Sequence, residues 1–218
     1  ILLIKKPLRW TSFQVVNKIR WLIKKQYGIK KIKVGHAGTL DPLAEGLLIV
    51  CTGKMTKRIT EFQNLNKTYT GKFYLGASTP SFDLETEISE KKSIDHLNDD
   101  IIQKSTTKFI GKILQTPPIY SAIKHNGKKL YEFARKGETV TIKSREVFIH
   151  EFLISLINLP EVNFKISCSK GTYIRSLAND YGTKLNCGAH LKELKRTAIG
   201  DYKLENSISI EDFEKKLK

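Results

Sequence analysis

The sequence predicts an α+β fold with a mixed, largely antiparallel central sheet flanked by helices. Three observations lead there. Apolar residues recur at helical spacing over 13–23 and 174–185, and they alternate with period two over 69–75 and 162–168. The two kinds of segment follow one another without the strict alternation that a parallel α/β sheet requires. With 218 residues and 40% hydrophobic content, the chain is long enough for a full core, and residues 1–218 read as a single domain.

The first predicted helix starts at Ser12 as its cap, carries Phe13, Val16, Ile19, Leu22 and Ile23 inward, and ends at Gly28; Lys18, Lys24 and Lys25 take the wet side. Residues 35–48, Gly-His-Ala-Gly-Thr-Leu-Asp-Pro-Leu-Ala-Glu-Gly-Leu-Leu, then set an acid, Asp41, among turn-forming residues. Gly35 and Gly38 permit backbone angles closed to other residues and Pro42 stiffens the chain, so Asp41 belongs to a shaped loop. The apolar run from Gly46 to Cys51 reads as the buried strand that anchors it.

Met55, Ile59, Phe62 and Leu65 predict a second amphipathic helix. From Lys67 the period changes to two, with Tyr69, Gly71, Phe73 and Leu75 on one face of a strand. Ser93 or Asp95 is the expected cap of a helix carrying Leu97, Ile101 and Ile102. Thr116-Pro117-Pro118 then opens a basic segment with a short helix at Leu130, Phe133 and Ala134. Val162 to Cys168 alternates as a strand, and Gly171 turns it into a helix bearing Ile174, Leu177, Ala178, Tyr181 and Leu185. Ala189 to Arg196 reads as a short basic helix, and Ser209 to Leu217 as a last one with capping-box spacing at Ser209 and Asp212.

Lys and Arg number 38 against 22 Asp and Glu, a formal charge of +16, so the field attracts polyanions and nucleic acid is the leading partner class. Cys51, Cys168 and Cys187 form no Cys-x-x-Cys pair and leave one unmatched, which argues for reduced thiols rather than a disulfide framework or a zinc site. No apolar run reaches the length of a membrane span, and a cytoplasmic protein is expected.

The string from Gly35 to Leu48 resembles the signature of the TruB family of tRNA pseudouridine synthases, in which the aspartate of Gly-Thr-Leu-Asp-Pro is the catalytic nucleophile. Four further segments resemble that family's motifs in the same order. They are Lys6-Pro7 with Thr11-Ser12, Lys67-Thr68-Tyr69, Ser169 to Arg175, and Cys187 to Leu194.

The resemblance implies the pseudouridine synthase fold. It implies Asp41 as nucleophile, Arg175 as its ion-pair partner, and Tyr69 as the base-stacking platform and a candidate acceptor of the C5 proton. His36, Tyr173 and Leu194 are implied to line the nucleotide pocket, and Lys6 to support the loop. It further implies a thumb-like RNA-binding insertion at about 117–146, whose Lys124, Lys128, Lys129 and Lys136 hold backbone phosphates. The wider basic surface, including Lys24, Lys25, Lys192, Lys195 and Arg196, is expected to do the same. Asp83 has a counterpart in the family, whereas an earlier aspartate that many relatives carry is replaced in Ala77-Ser-Thr-Pro-Ser-Phe-Asp83. No C-terminal PUA domain is expected after Leu217.

The implied activity is isomerisation of the T-loop uridine of tRNA, position 55 in tRNA numbering, with no cofactor or metal. The implied partner is tRNA, and a monomer with no obligate protein partner is expected. The alternatives are a non-catalytic RNA-binding or tRNA-folding protein and a guide-dependent RNA pseudouridine synthase.

Overall fold

The computed structural model describes residues 1–217; Lys218 lies outside them. In chain order the elements are β1 (Leu2–Lys6), α1 (Ser12–Tyr27), β2 (Val34–His36), β3 (Ala44–Thr52), α2 (Ile59–Asn64), β4 (Lys67–Leu75), β5 (Ala77–Ser78) and β6 (Glu90–Lys91). They continue with α3 (Asp99–Ser105), β7 (Gly111–Gln115), β8 (Lys124–His125), β9 (Lys128–Lys129), α4 (Leu130–Ala134), β10 (Arg145–Asn158) and β11 (Glu161–Cys168). Last come α5 (Ile174–Lys184), β12 (Ala189–Ile199), β13 (Tyr202–Lys203) and α6 (Ile210–Leu217). The contacts divide the chain into two compact units, one of residues 1–70 and 193–218 and the other of residues 71–192. β4 and β12 each begin in one unit and end in the other.

In the first unit β3 pairs antiparallel with β1 and with β2, while β12 runs parallel to it with Leu194 opposite Ala44 and Arg196 opposite Gly46. The Gly46–Cys51 run is therefore a strand covered on both faces, which is why it is apolar throughout. Leu48 and Val50 face α1 and α6 through Val15, Val16, Ile19, Leu22, Ile210 and Phe213. Leu47, Ile49 and Cys51 pack on the other side with Ala37, Phe62 and Ile199. Each of the four fully buried residues from Leu47 to Val50 contributes about 1.5–3 kcal/mol of apolar burial, so the strand is a firm base for the loop before it.

α1 differs from its expected start. Thr11 is the cap: Gln14 N donates to its Oγ1 at 3.1 Å, and Thr11 N donates to Gln14 Oε1 at 2.7 Å, a reciprocal capping box. Phe13, expected inward, is 65% exposed, and Val15 occupies the inner face instead. Gly28 ends the helix in the left-handed conformation.

In the second unit the pairings of β10 with β11 and with β7 are antiparallel. Its core is aromatic. Phe73 and Phe164 stack with centroids 4.2 Å apart, and Phe109, Phe152 and Tyr181 surround them. α3 is capped by Asn98, whose side chain accepts from Ile101 N at 2.9 Å. Ser93 and Asp95, the expected caps, bond to each other instead.

β12 overturns the helix read at Ala189–Arg196: the segment is a strand because it pairs beside β3, and tertiary pairing overrides its weak helical spacing. Among the described residues no helix is long and apolar enough to cross a membrane, and the three cysteines are free and buried.

Candidate active site

The loop bearing Asp41 is held at every residue around the acid. Leu40 exchanges two bonds with one hydroxyl, its N–H donating to Ser12 Oγ at 2.8 Å and its carbonyl accepting from the same oxygen at 3.0 Å. Ser12 thus fastens α1 to the loop rather than capping the helix. The Asp41 carbonyl accepts from Ala44 N at 3.1 Å, and the Pro42 carbonyl accepts from Arg9 N at 2.7 Å. Asp41 itself is partly exposed. A side chain on a backbone so fully bonded keeps its position, which a group that must meet one atom of a substrate requires.

Arg196 is the larger departure from expectation. Predicted to be a surface phosphate contact, it is 1% exposed. Its Nε donates to Leu47 O at 2.8 Å and its Nη2 to Gly38 O at 3.1 Å, so the guanidinium ties the start of β3 to the loop. Its backbone lies against Gly46, whose φ is +112°; a Cβ there would sit 2.4 Å from the Arg196 carbonyl oxygen. Gly38 also has positive φ, at +105°, as expected, but Gly35 does not: what restricts Gly35 is space beside Ile59. An alternating strand pattern with a glycine opposite was the available signal for a buried arginine.

Lys6, at the end of β1, is fully buried and donates to the Pro7 carbonyl at 2.9 Å and to the Trp10 carbonyl. Burial pushes its pKa down from 10.5 to about 8, against the nearby Asp41 carboxylate, which raises it; Arg196 lowers it and Glu45 raises it. The Lys6 ammonium thus lies within electrostatic reach of the Asp41 carboxylate. Because the folded pKa is depressed, the unfolded chain binds the extra proton between about pH 8 and 10.5, and stability attributable to Lys6 rises through that window. Urea unfolding at pH 7 and at pH 10 should therefore show wild type gaining up to about 3 kcal/mol relative to Lys6→Met. Parallel profiles would contradict the burial of a charged Lys6.

His36 lies on β2, opposite Val50, and is half-buried. Burial, and then Arg196, hold its pKa below the ordinary value against a weaker opposing effect of the Gly38 backbone, so the imidazole is neutral at pH 7. Tyr69, on β4, is 8% exposed. Lys67 donates to the Gln63 and Leu65 carbonyls, both at 2.5 Å, closing the end of α2 and fixing where the strand begins. Leu194 is half-buried on β12 rather than on a helix. Lys195, beside it, pairs with Glu45 at 2.7 Å.

The second unit holds the other predicted groups. Arg175 is buried on α5, donates from Nη1 to Tyr120 O at 3.0 Å and to Ser81 O at 3.3 Å, and has its Nε 3.7 Å from Asp83 Oδ2. This buried ion pair was not foreseen, although Asp83 was singled out. Tyr173 precedes the helix, its backbone held by Gln115 in both directions and its ring 4.8 Å from the Arg145 guanidinium.

The predicted thumb contains the hairpin β8–β9, turned by Asn126 and Gly127 at positive φ. Asn-Gly is the strongest short hairpin signal, and the sequence reading passed over it. Lys124, Lys128 and Lys136 are exposed and Lys129 is half-buried. Lys192 departs from the expected phosphate role, since it is bonded to Glu161, which also pairs with Lys72 at 3.3 Å. Among the described residues no group of His, Cys, Asp and Glu could hold a metal ion.

The family model described as TruB family pseudouridylate synthase (N terminal domain) matches residues 24–174, and that described as tRNA pseudouridylate synthase B C-terminal domain matches 175–218. The chain belongs to the TruB family. A TruB relative from Flavobacterium johnsoniae, "tRNA pseudouridine synthase B", is 56% identical over 218 residues, covering 100% of this chain and 95% of its own. One of the same name from Phocaeicola vulgatus is 53% identical, covering 98% and 91%.

Among solved structures, a chain of a Cbf5-Nop10-Gar1 complex matches with a TM-score of 0.73 and 29% identity over 98% of this chain. This chain spans about half of that one, 53%. A chain of an H/ACA RNP bound to a substrate RNA matches at 0.70 with 26% identity. The TruB chain therefore has the pseudouridine synthase fold, an α+β architecture with a mixed, mostly antiparallel sheet. Its Lys6-Pro7 and Thr11-Ser12 motif has a visible local purpose, since Ser12 bonds both polar backbone atoms of Leu40 and Lys6, bonded to Pro7 and Trp10, lies within electrostatic reach of Asp41.

Proposed function

We propose that the protein isomerises uridine to pseudouridine in tRNA, at the T-loop position 55, with Asp41 as the catalytic carboxylate and no cofactor. The observation that carries this reading is the braced loop: within a TruB family sequence, a partly exposed acid sits on a segment bonded to Ser12, Arg9 and Arg196 and within electrostatic reach of the buried Lys6. The reaction breaks the N1–C1′ bond, turns the uracil and joins C5 to C1′. C5 loses a proton and N1 gains one, so the formula is unchanged. An ionised carboxylate serves as a group that adds and leaves again.

The uridine must first be extruded from the loop of the RNA. Tyr69 is the proposed stacking face and the acceptor of the C5 proton; Leu194 and Tyr173 bound the base, and His36 fills the vacated space. Arg175 is the proposed ion-pair partner of Asp41. The two units would then serve one catalytic domain, with residues 117–146 as the thumb on tRNA. The protein acts as a monomer in the cytoplasm without an obligate partner. The guide-dependent alternative draws on matches at 26–29% identity, against 53–56% for relatives named as tRNA enzymes, and is the weaker reading.

Tritium release from a T stem-loop transcript labelled at uracil C5, with the purified protein alone, tests the reading. Release supports it; tight binding without release favours the tRNA-folding alternative. Lys128→Glu with Lys129→Glu should weaken tRNA binding about tenfold or more and lower the salt dependence of log K by about 1–2, leaving turnover at saturating RNA near wild type. An unchanged Kd would remove the thumb from the account.

A further inference from the structure

The first forty residues carry ten Lys or Arg and no Asp or Glu. Several of these cations gather where α1 ends. A groove of about 490 Å³ opens there between the last two turns of the helix and the Gly28–Lys30 segment, lined by Arg20, Trp21, Lys24, Lys25, Ile29 and Lys30. Its size is that of a small-ligand site, and no acidic residue lines it.

Trp21 is 50% exposed, on the face of α1 opposite the core residues Val15, Ile19 and Leu22. An exposed indole on a helix whose inner face is fully packed is not needed for the core. The Lys18 and Lys25 ammoniums stand 4.8 and 5.0 Å from the centre of its ring. Lys18 is also paired with Glu214 of the neighbouring helix α6 at 3.5 Å. Arg20 is committed to the fold, donating to Asn17 Oδ1 at 2.6 Å and to Val34 O at 3.0 Å, and so forms a fixed cationic floor.

We propose that this groove is a second RNA contact, in which an unpaired nucleotide of the substrate stacks its base on Trp21 while Lys24, Lys25 and Lys30 hold the flanking phosphates. An aromatic ring among ammoniums, which a stacking base would displace from over the ring toward its own phosphates, is the combination that binds single-stranded nucleic acid without reading its sequence. Four cations and no acid in the lining argue against a basic peptide as occupant. The site deepens the tRNA-modifying reading and rests on it for the identity of the RNA.

The test uses an unmodified tRNA transcript and the full chain. Trp21→Ala should raise Kd and KM about tenfold, the loss of one stacked base, while kcat at saturating RNA stays within about twofold of wild type. Trp21→Phe, which keeps a π-face, should recover most of the affinity. Lys24→Glu with Lys25→Glu should lower the salt dependence of log K by about 1.5. Unchanged affinity in Trp21→Ala, or a loss confined to the lysine variant, would overturn the stacked-nucleotide site. Kd is read independently of turnover: a wild type that binds tRNA without releasing tritium would sink the enzymatic reading and leave this test intact. A wild type that binds no tRNA would sink both.

Discussion

Asp41→Asn should abolish tritium release, by at least about a thousandfold, while tRNA binding changes less than about threefold. Removing a nucleophile typically costs that much or more, because no other group can form and break the same bond. The isosteric amide should keep the loop intact, since Leu40, Asp41 and Pro42 are bonded to Ser12, Ala44 and Arg9 through their backbone atoms. Asp41→Glu is the sharper companion variant. It retains charge but displaces it by one methylene on a braced backbone, so it should also lose most activity, because a displacement near 1 Å can cost about a hundredfold. Release by Asp41→Asn within tenfold of wild type would refute the role.

The second large effect concerns folding. Gly46→Ala should destabilise the protein by more than about 3 kcal/mol, with weak expression or a markedly lower urea midpoint. Two penalties coincide there: φ of +112° is closed to alanine, and the added carbon would meet backbone atoms of Arg196 at 2.4 and 2.8 Å. Neither partner can swing aside, because Gly46 and Arg196 face each other in the parallel pairing of β3 and β12. Any displacement of Arg196 also draws its guanidinium off the Gly38 carbonyl, so the residual folded fraction should show reduced kcat as well. A stability within 1 kcal/mol of wild type would contradict the close packing described.

These effects show where the sequence was informative. The Asp41 loop and β3 were legible because glycines, a proline and an unbroken apolar run give local signals, and β3 is apolar on both faces for the reason expected. β10 was not legible. Its inward residues Val147, Ile149 and Phe152 break the two-residue period, because register shifts at Ile149–Glu151 and Ile154–Leu156 insert extra residues.

β12 was misread because Leu191 and Leu194 are three apart, a spacing that fits a helix until pairing with β3 is known. Arg196 and Lys192 were assigned to phosphates on charge alone; charge does not reveal that one is buried beneath the loop and the other bonded to Glu161. Family motifs located Lys6 and Ser12, but only the geometry explains them: one is a buried cation near the acid, and the other a hydroxyl clamped on both polar atoms of Leu40. Arg175 was expected as the ion-pair partner of Asp41; within its own unit it also joins a buried set with Asp83, Ser81 and Tyr120, which charge and motif do not reveal.

The most direct test of the account is a crystal structure with a T stem-loop carrying 5-fluorouridine at the target position, where the C–F bond cannot release a proton and the reaction stalls on the enzyme. The account predicts the target nucleotide out of the stack, its base against Tyr69, and an Asp41 carboxylate oxygen at or within about 3.5 Å of the reacting sugar or base carbon. A target base still stacked in the RNA, or everted with Asp41 turned to solvent, would contradict it.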